Sequence, residues 1–337
     1  MATANQRLKT LRLINGMSQA YFAAILGVKQ PQLSMIEKGD RELTSHNMLA
    51  ARMYFRLPAD YFDGREITYL PHHLNFRRKK LTKTQANMAA QTFGLIEENF
   101  AHYENPLDDL PTSPTMTRHS AEDIRAIAAD ARAHIGIKPD TPINNVTRCM
   151  DRIGIVVTPL SNPLLPKDKI DGISTPMQSS HAFVTTLNYN TPGDRFRFSA
   201  AHELGHILMH TNNHKKSLAD KEAEADDFAS AFLMPEKPML DLLTPDLTLN
   251  GYAALKSKWG TSIQSLIRRA HDLGVIDDDR YRSLYMQLSG RGWRKNEPVK
   301  VLLEKIIHEP PQLFIRQQFE EKNEYPLAAV TELPRRK

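Results

Sequence analysis

The feature that most constrains this chain is a pair of histidines four residues apart with a glutamate beside the first, in Arg197-Phe198-Ser199-Ala200-Ala201-His202-Glu203-Leu204-Gly205-His206. On a helix, residues i and i+4 share a face, so both imidazoles can reach one zinc ion. Glu203 can then act as general base on a water held there. The H-E-x-x-H spacing also arises in helices that bind nothing, so its surroundings decide. Phe198, Ala200, Ala201, Leu204, Ile207 and Leu208 make the segment largely apolar, which predicts a buried helix. Two bare imidazoles in such a place need partners, and a metal is one.

A third ligand is sought in Lys221-Glu222-Ala223-Glu224-Ala225-Asp226-Asp227-Phe228-Ala229. Its two glutamates lie about 200° apart around a helix, so one of them reaches the metal. Ala225, Phe228, Ala229, Phe232 and Leu233 form an apolar arc that encloses Glu222, whereas Glu224 points away from its centre. A carboxylate on a buried face needs a cation, and this selects Glu222. Asp226, one turn on, is placed to orient a ligating histidine from behind. His210 continues the 202/206 stripe, but three protein ligands and a water fill a catalytic zinc site, so His210 reads as a surface residue or one that touches a ligand from outside.

The 337 residues allow two or three small domains. Cys149 is the single cysteine, which excludes an intrachain disulfide and fits a reducing compartment. Met1 to Thr10 is polar and lacks the apolar core of a signal peptide, and no apolar run approaches a membrane span. The expectation is a cytoplasmic protein without a membrane partner. Charge is uneven: residues 1–83 carry fourteen Lys/Arg against six Asp/Glu, while residues 84–115 carry five acids and no base. The basic end is where a nucleic-acid partner is expected.

That end reads as short helices. Leu8 and Leu11 mark an amphipathic first helix that Gly16 ends; Ser18 can cap a second, from Gln19 to Leu26. A third starts near Gln30, tolerates Pro31 in its first turn, turns Leu33 and Ile36 inward and ends at Lys38-Gly39. Two short helices joined by Leu26-Gly27-Val28-Lys29 form a helix-turn-helix pattern. The run M-S-Q-A-Y-F-A-A-I-L-G-V-K-Q-P-Q-L-S-M-I-E-K-G-D-R resembles the Cro/repressor (XRE) class of DNA-binding domains. The resemblance implies that Gln30 and Gln32 face base edges in double-stranded DNA and that Gln19 and Lys38 lie near phosphates. Glutamine can pair with adenine through two hydrogen bonds, so Gln30 has suitable chemistry. The alternative is a helical module that binds protein or only dimerises.

Further on, Arg77-Arg78-Lys79-Lys80 reads as a solvated basic face, and Leu81 to Tyr103 has helical composition. Ser120 caps an expected helix over 120–135 with Ile124, Ile127, Ala128 and Ala131 inward, and Pro142-Ile143 precedes another that runs to Arg152. Strands are expected at 154–158, 170–174 and 181–188, and the 170–190 strands are candidates for an edge that holds an extended peptide. Ser262 caps nothing evident, while Trp259, Ile263, Leu266 and Ile267 have the spacing of core residues, with Trp293 as a cover. Arg195, His181 and Tyr189 are unranked candidates for stabilising an oxyanion.

Four ordered blocks carry a second resemblance: R-F-R-F-S-A-A-H-E-L-G-H-I-L-M-H, E-A-E-A-D-D-F-A-S-A-F-L-M-P, L-K-S-K-W-G-T-S-I-Q-S-L-I-R-R-A-H-D-L-G-V-I and G-W-R-K-N-E-P. Together they are similar to the ImmA/IrrE metallopeptidase family. The resemblance implies a zinc (Zn2+) endopeptidase of gluzincin type that cuts a repressor and so switches genes on. Its ligands fall on His202, His206 and Glu222, with Glu203 as base and Asp226 behind a histidine.

The fold expected is α+β: an N-terminal all-α helix-turn-helix domain over 1–68, a helical linker over 69–115, a mainly helical zincin-like domain with a small sheet over 116–298, and a C-terminal helical extension and tail over 299–337. The expected partners are double-stranded DNA, a repressor-type protein substrate and a second copy of the chain as a homodimer. Two rival readings stand beside this one. The first is a transcription factor whose zinc domain is a sensor or scaffold. The second is an antitoxin-like protein that binds DNA and a partner and cuts neither.

Overall fold

The computed structural model describes residues 4–63, 69–71, 74, 81–98, 100, 119–160, 162–166, 169–176, 178, 182–211 and 216–301. The N-terminal part is a helical cluster: α1 (Ala4–Ile14), α2 (Gln19–Ile25), α3 (Gln30–Lys38) and α4 (Ser45–Phe55). Local chemistry sets the ends of these helices. The Ser18 side chain accepts from Tyr21 N to start α2, and Thr44 accepts from Asn47 N to start α4. Gly39 closes α3 at φ 85°, a left-handed conformation that glycine adopts without strain. Leu8, Leu11, Phe22, Leu33, Ile36, Ala51 and Phe55 close over one another as its core.

Next comes α5 (Lys83–Glu98), inside the stretch expected to be a helical linker. Its apolar face, with Phe93 and Ile96, packs in a cluster with Val156, Ile173 and Val184 of the sheet that follows. On its other side Glu98 accepts from the Arg7 guanidinium at 2.7 Å, and the Thr10 hydroxyl donates to Gln91 at 2.9 Å. Asn162 adds a tie by donating to Ile14 O and to Thr92 Oγ1. α5 is thus a packed wedge between the helix-turn-helix and the sheet. Arg77 to Lys80 and residues 302–337, which include the basic run and nearly all of the expected tail, lie outside the described residues.

The larger part starts with α6 (Ala121–Ile135), opened by a reciprocal cap between Ser120 and Asp123. After α7 (Val146–Arg152), a three-stranded sheet forms in the order β1 (Ile155–Pro159), β3 (Phe183–Leu187), β2 (Gly172–Pro176). β1 and β3 are parallel and β2 runs antiparallel to β3, so β2 is an edge strand among the described residues. Two long helices follow: α8 (Gly193–His210) packs against β2 and β3, and α9 (Leu218–Leu233) packs against α8 and α6. α10 (Glu236–Leu242), α11 (Leu249–Trp259), α12 (Ile263–Asp272) and α13 (Asp278–Gly290) complete the core, with Trp259, Ile263, Leu266 and Ile267 fully buried and Trp293 packed against them.

Ser262 corrects its expectation. Its hydroxyl accepts from Ser265 N at 3.0 Å and caps α12. Gly260, left-handed at φ 67°, ends α11 so close before it that the cap is masked in an apolar, Trp-containing sequence.

Candidate metal centre and DNA-reading surface

His202 and His206 stand one turn apart on α8, each at most 1 % exposed. Their Nε2 atoms are 3.0 Å apart. Glu222, on α9, brings Oε1 to 3.3 Å from His206 Nε2 and Oε2 to 3.6 Å from His202 Nε2. Nitrogen and oxygen ligands about 2.0–2.1 Å from a tetrahedral zinc lie roughly 3.3 Å from one another, so this spacing fits the ion. Glu222 Oε1 is also buried without a hydrogen-bond partner among the described residues, a lone pair with nothing but this cluster to face. Lone pairs of two imidazoles and a carboxylate converging on one point repel unless a cation lies between them.

The other ring nitrogens hold the histidines in place. His202 Nδ1 is 2.8 Å from Asp226 Oδ1, and His206 Nδ1 is 2.9 Å from His210 Nδ1. Burial opposes charge on His202, but Asp226 and Glu222 outweigh it and raise its pKa to about 9. For His206, burial dominates and lowers the pKa to about 4. Burial likewise works against the Glu222 carboxylate, yet the two imidazoles hold its pKa well below the usual carboxylate range.

Glu203 faces the sheet. The Ser174 hydroxyl, on β2, donates to its Oε2 at 2.5 Å. Its Oε1 lies over Gly172, where an added Cβ would come within 2.7 Å. Burial raises the Glu203 pKa to about 7, near where a general base works best. Neither Ser174 nor Gly172 was identified from the sequence. Both sit in an ordinary strand pattern, and only the crossing of α8 over β2 brings them to Glu203.

Glu224 does not approach the three ligand atoms. It is nonetheless buried, and its side chain is less exposed (8 %) than that of Glu222 (22 %). Burial therefore does not separate Glu222 from Glu224; approach to His202 and His206 does. Glu224 lies in a second buried cluster with His210 and Lys216, from just before α9, and His119, from far earlier in the chain. His210 is only 2 % exposed, so the surface alternative for it is excluded.

Of the oxyanion candidates, Arg195 donates to both oxygens of Asp171. Tyr189 is half-buried against Phe196, and burial raises its hydroxyl pKa. His181 lies outside the described residues.

At the N-terminal end, Gln30 is exposed at the start of α3 and donates to Gln19 Oε1 at 2.8 Å. Gln19 donates in turn to Glu37, whose carboxylate takes both arms of the Arg12 guanidinium. This chain fixes the Gln30 amide while leaving Oε1 and one N–H for a base edge. Glu37 and Arg12 were not singled out from the sequence, because their pairing spans two helices. Gln32 is half-buried and its side-chain oxygen accepts from Lys29 N at 3.0 Å, so it caps its own helix. Lys38 is exposed at the end of α3.

An N-terminal helix-turn-helix joined to a helix-rich domain in which two histidines and a glutamate converge defines a DNA-binding type of regulator with a metallopeptidase-like domain. Comparison with protein families gives two matches: residues 150–271 are similar to the IrrE N-terminal-like domain family, and residues 8–62 to a helix-turn-helix family. No curated protein matches the chain. Among the described residues, no helix is long and apolar enough to cross a membrane.

Proposed function

We propose that this protein is a cytoplasmic DNA-binding regulator whose second domain is a zinc endopeptidase that cleaves a repressor-type protein. The observation that carries this reading is the convergence of His202 Nε2, His206 Nε2 and the partnerless Glu222 Oε1 beside a buried Glu203. Zinc held by these three residues would supply a Lewis acid for the scissile carbonyl and acidify the attacking water.

The chain does the rest. Ser174 holds Oε2 of Glu203, which leaves Oε1 to accept the proton from the water and to deliver it to the leaving amine. The outer edge of β2 is unpaired among the described residues and runs beside α8, so an extended peptide can add to it by main-chain hydrogen bonds. The Gln30–Gln19–Glu37–Arg12 chain supports specific duplex recognition, and a DNA-reading module on the same chain would bring the peptidase to where repressors sit.

The test is to incubate the purified protein with repressor-type proteins encoded in the same genome and to identify products by mass spectrometry. Wild type is expected to cut it and Glu203→Gln to leave it intact with zinc and fold retained. A Glu203→Gln variant that leaves the repressor uncut yet induces normally in cells would instead assign the zinc domain a sensory role.

A further inference from the structure

The cluster behind the ligands is made of groups that can hold a metal themselves: His119, His210 and Glu224, all buried. If His206 offers the lone pair of Nε2 to the ion, its proton sits on Nδ1. That proton faces His210 Nδ1 at 2.9 Å, which must then be the acceptor. His210 therefore carries its own proton on Nε2, and Nε2 lies 3.1 Å from Glu224 Oε2. The chain runs one way, His206 to His210 to Glu224, and ends on a carboxylate.

Glu224 is fully engaged. Lys216 Nζ donates to both of its oxygens at 2.5 Å, and the backbone N–H of His119 donates to Oε1 at 3.1 Å. His119 Nδ1 lies 2.8 Å from Oε2. The Lys216 side chain is only 1 % exposed, so its ammonium is the cation this carboxylate has in place of a metal. A second metal would also need the lone pair of His210 Nε2. The His210 proton would then move to Nδ1 and meet the His206 proton head-on at 2.9 Å. Metal in the second cluster and a correctly oriented His206 exclude each other.

We infer that His210 and Glu224 are positioning residues for the ligand His206, and that Lys216 closes their cluster so that the chain holds one metal ion. This inference rests on the metal centre proposed above and goes beyond it, because the His210–Glu224 pair sets the tautomer of one ligand. The partner of His202 is instead Asp226, whose side chain is 40 % exposed. The two ligating histidines are thus oriented by different means, one next to solvent and one through a buried imidazole.

The direct test uses wild type loaded with zinc. Long-range proton–nitrogen correlation spectra should show His206 as the Nδ1–H tautomer and His210 as the Nε2–H tautomer; an Nδ1–H His210 overturns the inference. A second test loads the chain with cobalt and reads its visible bands and its loss of metal to a chelator. His210→Phe should keep one ion per chain, shift the bands and lose metal roughly 10–100-fold more readily. His210→Asn, whose Oδ1 can accept the His206 proton, should recover most of both. Glu224→Gln, nearly isosteric, should shift the bands less than His210→Phe. Unchanged bands and unchanged metal retention in His210→Phe and Glu224→Gln would make the cluster packing only. Two ions in wild type, with one lost in His119→Ala, would make it a metal site and overturn the inference. A wild type that takes up no metal overturns the proposed centre together with this inference.

Discussion

Glu203 and Gly172 leave no room between them for a side chain. An alanine at 172 would place Cβ 2.7 Å from Oε1 and 2.9 Å from Cγ of Glu203, with the strand backbone on one side and α8 on the other. Glu203 would have to move by a large part of an ångström, and misplacing a catalytic group by about 1 Å costs on the order of 100-fold in rate. Gly172→Ala is therefore expected to lower kcat/KM by that order while zinc content stays unchanged, which peptide cleavage and metal analysis together would show. At this scale the sequence was informative where chemistry is local. His202, Glu203 and His206 declare themselves by spacing on one helix. Ser174, Gly172, His119 and Lys216 do not, because each meets its partner across at least eight residues of chain and some across about a hundred. Glu222 was separated from Glu224 by an apolar arc drawn on α9 alone. That arc could not include His119, which α9 meets only in the folded chain.

Among the elements, α8 is fixed at its N-terminus by charge. Asp194 in its first turn pairs with Lys256 on α11 at 2.6 Å, and Lys256 also pairs with Glu297 at 2.7 Å. Glu297 in turn accepts from the Ile263 and Gln264 amides and so completes the N-terminus of α12. One lysine thus holds two carboxylates and ties the G-W-R-K-N-E-P block to α8. Removing it leaves buried, unmatched acid. Lys256→Met is expected to destabilise the fold by roughly 3–5 kcal/mol, measured by urea denaturation. Helices were readable from caps such as Ser18, Ser120 and Gly39, whose signals are short-range. The Ser262 cap is not, since Gly260 ends α11 only two residues before it and no longer loop marks the boundary between the two helices.

On the scale of the whole molecule, α5 makes one body of two functions. Glu98 reaches back to Arg7 in the helix-turn-helix, while its neighbour Glu97 accepts from Tyr69, whose hydroxyl also donates to Pro176 O at the end of β2. In the sequence the acidic and proline-rich flanks of this stretch point to a helical linker, and its packing faces appear only against both neighbours. The DNA-reading surface is open to test in the full chain. Gln30→Ala is expected to lose about 1–3 kcal/mol of discrimination at one or two base pairs, whereas Lys38→Ala should weaken all duplexes alike, as titrations against operator variants at fixed salt would show. Equal loss on every sequence for Gln30→Ala would remove it from base reading. The central claim, that His202, His206 and Glu222 hold a single zinc ion, is tested most directly by elemental analysis of the purified chain and two variants. Wild type should carry about one zinc per chain, Glu222→Ala close to none, and Glu224→Ala still about one. Full zinc in Glu222→Ala with loss in Glu224→Ala would contradict the account.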